Sequence, residues 1–520
     1  MGRGVYNVRC RKNEELKHVL ELQDHQKRTL EYFLKTKYKG LVLFHKLGSG
    51  KTCISIVIAD TMLKRKMVKH VYIFSPGSLR SSWVKEYCQK CGTSTEILER
   101  DYTFITYNYR LKDIPNLDGS LVIVDEIHNL INGKRNKSTH PSLIYDAILN
   151  SNCRVLALSG TPVFRHLNEF PLLLNLVKPK KDDLEDYNKL FSKAVIESKD
   201  FDEKKFRDSI SGVISYFPGG SDLPEVIQMP PLKFQMTREQ ELEFWKMFNR
   251  ESVAFPPKEH LRSIDPKKYF LLRTLYILSR KRILSRKISN FYYPPEAYEY
   301  QKDSDWLATD PLKDNALSRV YSPKIAGLLA NIVLHPNQKQ IVFTFFKNRS
   351  GVHLIKALLS KCGISSTVFV GDMNDDDRRR VLNKFNSKEN SKGKIVPIMI
   401  FSSAGGEGLS LTDVRQIHIL ESDPTMNKVI QSIGRAVRFK SHENLPEKDR
   451  TVHVWKYWSV PSPEPITLRI TKKDKELRDL TTERIITDKT GIDERLYMRG
   501  SETLDGINMF LDLIKKESVT

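Results

Sequence analysis

The sequence predicts an α/β chain: two tandem parallel-sheet lobes, a largely helical insertion between them, and a helical C-terminal tail. Three observations carry this. Short, largely apolar runs recur at 41–44, 71–74, 121–124 and 154–158, and again at 340–344, 367–370, 397–401 and 416–420. A strand buried on both faces reads as such a run, not as an alternation. Helical periodicity fills the intervals, as in strand–helix repeats. The rhythm breaks between about 180 and 320, where Pro218-Gly-Gly220, Pro230-Pro231, Pro256-Pro257 and Pro294-Pro295 interrupt it. The expected divisions are an N-terminal segment 1–20, a first lobe 21–180, the insertion 181–320, a second lobe 321–460 and the tail 461–520.

Lys plus Arg number 85 against 63 Asp plus Glu, a net charge of +22 over 520 residues. This surplus points to a polyanion partner, most simply nucleic acid, and its spread along the chain favours a broad groove over a basic tail. No apolar run approaches the roughly 20 residues of a membrane span. Met1-Gly-Arg-Gly-Val-Tyr6 lacks the apolar stretch of a signal peptide, and Tyr6 departs from the myristoylation pattern. An intracellular chain is expected. Cys88 and Cys91 form a lone C-x-x-C with no second pair at zinc spacing, so the six cysteines are expected to be reduced, half-buried thiols.

Residues 1–20 are polar and carry no assigned element. A helical pattern opens at Leu22, with Leu30, Phe33 and Leu34 on its apolar face. Gln26 is placed either to bond an adenine edge or to face solvent. The run 41–44 leads into His45-Lys-Leu-Gly-Ser-Gly-Lys-Thr52 and then into a helix begun by Ile54, Ile56, Val57 and Ile58. Strand, glycine loop, Lys-Thr and helix together form a phosphate cradle. Gly48 and Gly50, with Ser49 between them, let backbone N–H groups turn inward, and the helix N-terminus adds its positive dipole end. Lys51 is expected to reach the β- and γ-phosphates and the Thr52 hydroxyl to ligate magnesium. His45 stands where the usual pattern has its first glycine.

The run 71–74 leads into Ser75-Pro-Gly-Ser-Leu79 and a helix with Trp83 and Tyr87 at i, i+4; 104–107 is a further short strand. The run 121–124 ends in Asp125-Glu-Ile-His128, and the C-terminal end of a parallel strand is where open α/β sheets bind ligands. Asp125 is expected to hold magnesium through its water shell, and Glu126 to orient and deprotonate the attacking water. The same pair can instead cap a helix. The run 154–158 ends in Ser159-Gly-Thr-Pro162, whose hydroxyls can link the nucleotide site to a bound strand. An apolar helix at 167–177 closes the lobe.

Within the insertion, 237–248 carries Phe244, Trp245 and Phe248, read as packing. The stretch 271–288 interleaves apolar residues with Arg273, Arg280, Lys281, Arg282, Arg286 and Lys287, a candidate for phosphate contacts or a solvated face. The second lobe alternates helix and strand from 322 and has no phosphate loop of its own. Its strand at 397–401 runs into Ser402-Ser-Ala-Gly-Gly-Glu-Gly-Leu409. In the helix from 426, Gln431, Arg435 and Arg438 fall at i, i+4 and i+7 and are expected to share one face. If the lobes face each other, these side chains point at the γ-phosphate, where a guanidinium stabilises the charge of phosphoryl transfer. After a strand at 451–457 the tail reads as helical from about 466 to 520. Its apolar face of Ile507, Phe510, Leu511 and Ile514 is expected to dock on the second lobe or on a partner.

The order of these segments resembles the superfamily 2 helicases, and within them the Swi/Snf-like branch. The resemblance runs through the loop 45–52, Ser75-Pro76 with Trp83 and Glu86, Asp125-Glu-Ile-His128, Leu158-Ser-Gly-Thr-Pro162, Ser403-Ala-Gly-Gly-Glu-Gly-Leu409 and Gln431-Ser-Ile-Gly-Arg-Ala-Val-Arg438. More finely, Phe44-His-Lys-Leu-Gly-Ser-Gly-Lys-Thr-Cys53, Glu169-Phe-Pro-Leu-Leu-Leu-Asn-Leu176 and Arg438-Phe-Lys-Ser-His-Glu-Asn-Leu-Pro446 look like helicases of large cytoplasmic DNA viruses. Those include the poxvirus nucleoside triphosphatase I and the early transcription factor small subunit. Ile127 stands where many of these relatives carry Ala.

The resemblance implies two RecA-like lobes and a motor that uses ATP and Mg2+. By it, Lys51, Glu126, Gln431, Arg435 and Arg438 are the catalytic residues. Gln26, Gly48, Ser49, Gly50, Lys51, Thr52, Asp125 and Gly408 would meet the nucleotide, and Thr52 and Asp125 the magnesium. It further implies a translocase or helicase favouring duplex DNA, working in viral transcription with a viral RNA polymerase, in the host cytoplasm and the virion. Competing readings are a strand-separating RNA or DNA helicase, and a transcription-factor subunit that binds promoter and polymerase.

Overall fold

The computed structural model describes residues 5–7, 21–46, 48–107, 114–160, 169–178, 202–219, 223–251, 282–403, 409–424, 426–473 and 479–519. Two compact units divide the chain, 1–223 with 502–520, and 224–501. The division falls inside the stretch expected as one insertion.

The sheet of the first unit contains, in spatial order, β1 (Val5–Asn7), β4 (Tyr102–Thr106), β3 (Val71–Ser75), β5 (Leu121–Asp125), β6 (Arg154–Ser159), β2 (Gly40–His45) and β7 (Ile214–Phe217). Every pair is parallel except β1–β4, so the polar N-terminus, left unassigned above, adds an antiparallel edge. β2 shows why the strands are largely apolar runs: Val42 and Phe44 enter the core on one face of the sheet, Leu41 and Leu43 on the other. Gly40 starts it because a Cβ there would lie 2.6 Å from the Val155 carbonyl oxygen.

The sheet of the second unit runs β11 (Ser366–Phe369), β12 (Ile398–Ser402), β10 (Lys339–Thr344), β13 (Val414–Ile419), β14 (Thr451–Val460) and β8 (Glu225–Gln228), all parallel. β9 (Leu232–Gln235) pairs with the last residues of β14. The stretch 181–320 therefore holds helices at Glu203–Ile210, Arg238–Arg250, Ile283–Asn290 and Asp303–Ala308, and also β7, β8 and β9, which complete the two sheets. Each of the three has four residues, and β8 and β9 keep polar, half-exposed sequences, so no apolar run announces them. Phe244 and Trp245 are buried among Met236, Leu468 and Ile492, as expected of packing residues.

Two expectations about the tail are corrected. It begins as an antiparallel hairpin, β15 (Ile466–Lys473) with β16 (Asp479–Ile486), where helix was expected. The β-branched residues crowding both strands favour that outcome. One helix, Ile492–Lys516, follows. Its Ile507, Phe510, Leu511 and Ile514 lie in the core of the first unit, not on the second lobe or a partner. The Phe510 ring meets Phe170 and Phe206 edge-on at 5.1 and 5.3 Å. The chain end then serves the edge strand β7: Val519 N–H donates to the Ile214 carbonyl at 2.9 Å, and Tyr216 N–H donates to Ser518 Oγ at 2.8 Å. An edge strand has open backbone groups that invite such a cover. Among the described residues, no helix is long and apolar enough to cross a membrane.

Candidate nucleotide site

β2 delivers the chain to the glycine loop, and α2 (Lys51–Lys64) starts directly after it. Gly48 and Gly50 have φ of +81° and +75°, values that L side chains resist. A Cβ on Gly50 would also sit 2.6 Å from Gln26 Nε2. Gln26, in α1 (Asp24–Lys35), is thus buried against the loop instead of facing solvent, and its Oε1 accepts from Gln23 N–H at 3.0 Å. Lys51 Nζ folds back over the loop, donating to the carbonyls of His45 at 2.7 Å and Lys46 at 3.2 Å. Ser49 is buried, and its Oγ has no hydrogen-bond partner among the described residues.

His45 replaces the expected first glycine without strain, because it is the last residue of β2, paired with Phe217 of β7. Its ring is buried, with Nε2 2.7 Å from Ser215 Oγ. Burial, then the Lys51 charge, pull its pKa down to about 3, so the ring is neutral. His25 stacks flat on Phe217 at 3.6 Å, and its Nε2 lies 3.2 Å from the Ser49 carbonyl oxygen.

Asp125 ends β5, one strand removed from β2. Its Oδ1 accepts from Glu126 N–H at 2.9 Å and its Oδ2 from the Trp83 indole N–H at 2.7 Å. Burial, then the neighbouring Glu126 charge, push its pKa up to about 6, against the pull of Trp83 and Lys51. Glu126 adopts φ +50° and ψ +54°, a left-handed conformation that a residue with a side chain enters at a cost of about 1–3 kcal/mol. It precedes the helix Ile127–Arg135 without capping it through its side chain; its carboxylate instead lies 3.3 Å from His128 Nδ1. Glu126 thus holds the N-cap position of that helix without a side-chain cap bond.

These groups fit a nucleotide with its metal. Two left-handed glycines, a helix N-terminus, an ammonium and the buried Ser49 hydroxyl suit a phosphate chain. The Thr52 hydroxyl and the Asp125 carboxylate are the sparse hard-oxygen set with which Mg2+ is bound when it keeps most of its waters.

In the second unit the shared helical face is not formed. The helix Asn427–Ile433 carries Gln431 but stops before both arginines, with Gly434 at its C-terminus. Arg435 lies in the turn beyond, buried, its carbonyl accepting from Leu411 N–H at 2.9 Å. Arg438 follows, its backbone N–H donating to Ser441 Oγ at 3.2 Å and its Nε to the Gly434 carbonyl at 3.3 Å. Ser441 Oγ also donates to the Ala436 carbonyl at 3.1 Å. These bonds pin a tight turn that a continuing helix would break. Gly408, Thr161, Pro162, Arg273, Arg280 and Lys281 lie outside the described residues. In the described end of the basic stretch, Arg286 is buried over the Phe345 ring and donates to the Ser422 carbonyl, and Arg282 donates to the Phe248 carbonyl. Those two arginines are occupied with packing, not presented to a phosphate backbone.

Sequence reasoning missed two features. Trp83 was visible as an aromatic but not as the donor to Asp125. The expectation of reduced cysteines is corrected for Cys53 and Cys91, which form a disulfide across 38 residues, and for Cys88, which is also disulfide-bonded; Cys153 and Cys362 are free thiols. No spacing rule links two cysteines so far apart.

Residues 92–215 match the SNF2-related domain and residues 323–440 the helicase conserved C-terminal domain. A protein of Acanthamoeba polyphaga mimivirus named "Putative ATP-dependent RNA helicase" is 26% identical over 486 residues, covering 82% of this chain and 80% of its own. The "Termination factor NPH-I homolog" of African swine fever virus (isolate Tick/Malawi/Lil 20-1/1983) is 24% identical over 573 residues, covering 92% of this chain and 76% of its own. Among solved structures, the Sulfolobus solfataricus SWI2/SNF2 ATPase core in complex with dsDNA aligns over 88% of this chain and 89% of its own, at 17% identity and a TM-score of 0.35.

Proposed function

We propose that this chain, an SNF2-type helicase ATPase by both of its matched domains, is an ATP-driven motor that moves along nucleic acid, with duplex DNA favoured, in viral transcription. The observation that carries the reading is the first unit's pairing of a left-handed Gly48–Gly50 loop before Lys51 and Thr52 with Asp125 and Glu126 one strand away. In it, the loop amides cradle phosphates, Lys51 bonds their β and γ oxygens, and Gln26 meets the adenine edge. Thr52 and Asp125 would hold Mg2+, which when bound neutralises phosphoryl charge. Glu126 orients the attacking water and takes its proton as the bond to the ADP oxygen breaks in line. Arg435 and Arg438, with Gln431, are assigned to the nucleotide's γ end, and Gly408 to nucleotide binding.

The net charge of +22 supports a phosphate-backbone partner. The African swine fever virus relative is named a termination factor, which supports a role in transcription; work beside a viral polymerase, in the host cytoplasm and the virion, belongs to the same proposal. A second reading, strand separation on RNA, is favoured by the name of the mimivirus relative. Steady-state ATPase measured with duplex DNA, single-stranded DNA and RNA at fixed salt tests both. Duplex DNA is expected to stimulate most, with stimulation falling as salt rises. Stimulation by RNA alone, accompanied by strand separation, would replace the first reading by the second.

A further inference from the structure

The phosphate-loop helix α2 is tied to the segment 80–93 at two points. Cys53, which follows Thr52 directly, is bonded to Cys91, with Cα atoms 5.5 Å apart. Two turns further on, buried Asp60 accepts from Tyr102 Oη at 2.6 Å, from Tyr87 Oη at 3.1 Å, and from the Thr93 N–H and Oγ1 at 2.9 and 2.7 Å. The same segment carries Trp83, which holds Asp125. It is therefore linked both to the residue beside Thr52 and to Asp125 itself, the two expected magnesium ligands. The Asp60 bonds do not depend on redox state; the Cys53–Cys91 bond can be opened by two electrons. Both cysteines are buried, at 5% and 4% exposure, and a Glu86 carboxylate oxygen lies within 4.8 Å of their sulfurs. Such burial limits the access of an attacking thiolate, which suits a bond that changes state slowly and not an exchange catalyst.

We propose that Cys53 and Cys91 are a thiol–disulfide switch on the ATP site: the oxidised pair locks the phosphate-loop helix to the 80–93 segment and holds ATP tightly, and the reduced pair relaxes it. On oxidation two S–H bonds break and one S–S bond forms. The two electrons and two protons pass to a small-molecule disulfide of the glutathione type, whose S–S bond breaks to give two thiols. The effect on ATP rests on the function proposed above; the cross-link does not.

The test uses the full chain purified without reductant and alkylated before digestion. Trypsin cleaves after Lys51, Lys64, Lys90 and Arg100, placing Cys53 in peptide 52–64 and Cys91 in peptide 91–100, apart from Cys88. The linked pair of these peptides is expected, lost with dithiothreitol and restored with oxidised glutathione. Over that cycle reduction should raise KM for ATP severalfold with kcat changing less. It should also lower the melting temperature by about 5–10 °C, as opening a loop of this length predicts. Cys91→Ala, with Cys91→Ser as a second variant, should show the reduced-state KM with or without dithiothreitol. Absence of the linked peptides after oxidation, an unchanged wild-type KM on reduction, or a full reductant response in both variants would overturn the switch. Failure of the ATP reading would look different: wild-type turnover in Lys51→Ala while the cross-link still cycles.

Discussion

The indole N–H of Trp83 lies 2.7 Å from Asp125 Oδ2, and both side chains are buried. This donor offsets part of the cost of charging Asp125 where burial and Glu126 push its pKa up to about 6. Trp83→Phe keeps an aromatic ring and removes the donor. A hydrogen bond to a charged group is worth about 1.5–3 kcal/mol, so kcat/KM for ATP should fall about 10- to 100-fold. The magnesium concentration for half-maximal rate should rise, and the acidic limb of the pH–rate profile should move to higher pH, because Asp125 loses a partner that favours its ionised form. A magnesium titration identical to wild type would take Trp83 out of the site.

Three substitutions separate binding from turnover. Lys51→Ala should lose ATP binding and hydrolysis together, measured with a fluorescent ATP analogue and by phosphate release. Glu126→Gln should bind the analogue normally and hydrolyse nothing, since it keeps the shape and loses the base. Gly50→Ala forces φ +75° on a residue with a Cβ and drives that carbon into Gln26 Nε2. Backbone strain of about 1–2 kcal/mol and a displaced Gln26 should raise KM for ATP. Wild-type hydrolysis by Glu126→Gln would refute its assigned role.

The phosphate loop and the acidic pair were legible because their chemistry dictates residue identity and order, and the strands because burial on two faces demands consecutive apolar residues. What failed depended on continuity or on distant partners. The i, i+4, i+7 spacing of Gln431, Arg435 and Arg438 has meaning only inside one helix, and Gly434 ends it. The hydrophobic face around Phe510 was visible, but amphipathicity says that a face is buried and not against what. Trp83 meets Asp125 across 42 residues, and Cys53 meets Cys91 across 38, through a sheet order that no local pattern encodes.

Because Phe510 and its neighbours complete the first unit's core, the tail is structural. Phe510→Ala should destabilise the chain by about 3–5 kcal/mol, as truncation of a fully buried aromatic does. Ending the chain at 501 should leave protein that is insoluble or melts far below wild type. These outcomes are read by differential scanning fluorimetry and by the soluble fraction on expression. A truncated chain with wild-type melting and ATPase, but impaired binding to a polymerase, would return the helix to the docking role.

His418 provides a pH test in the second unit. Its Nε2 faces Gln340 Oε1 at 2.9 Å and its Nδ1 faces Tyr457 Oη at 2.7 Å. Gln340 Nε2 donates to the carbonyls of Ile332 and His335, so Oε1 is the acceptor and His418 Nε2 carries the hydrogen. Tyr457, accepting from Asn331, then donates to Nδ1. Every bond is satisfied by the neutral ring, and burial, then His335, hold the pKa near 3, against 6.5 for a free imidazole. Between these values the unfolded chain binds the extra proton, so stability from this site is present above pH 6.5 and is lost as pH falls toward 3. At pH 5 the loss should be about 2 kcal/mol. Urea unfolding at pH 7.5 and pH 5.0 should show a smaller drop for His418→Asn than for wild type, even though the variant is weaker at pH 7.5. Some slope should persist from His45, which is also held near 3. Equal drops in both proteins would mean that His418 does not titrate in this way.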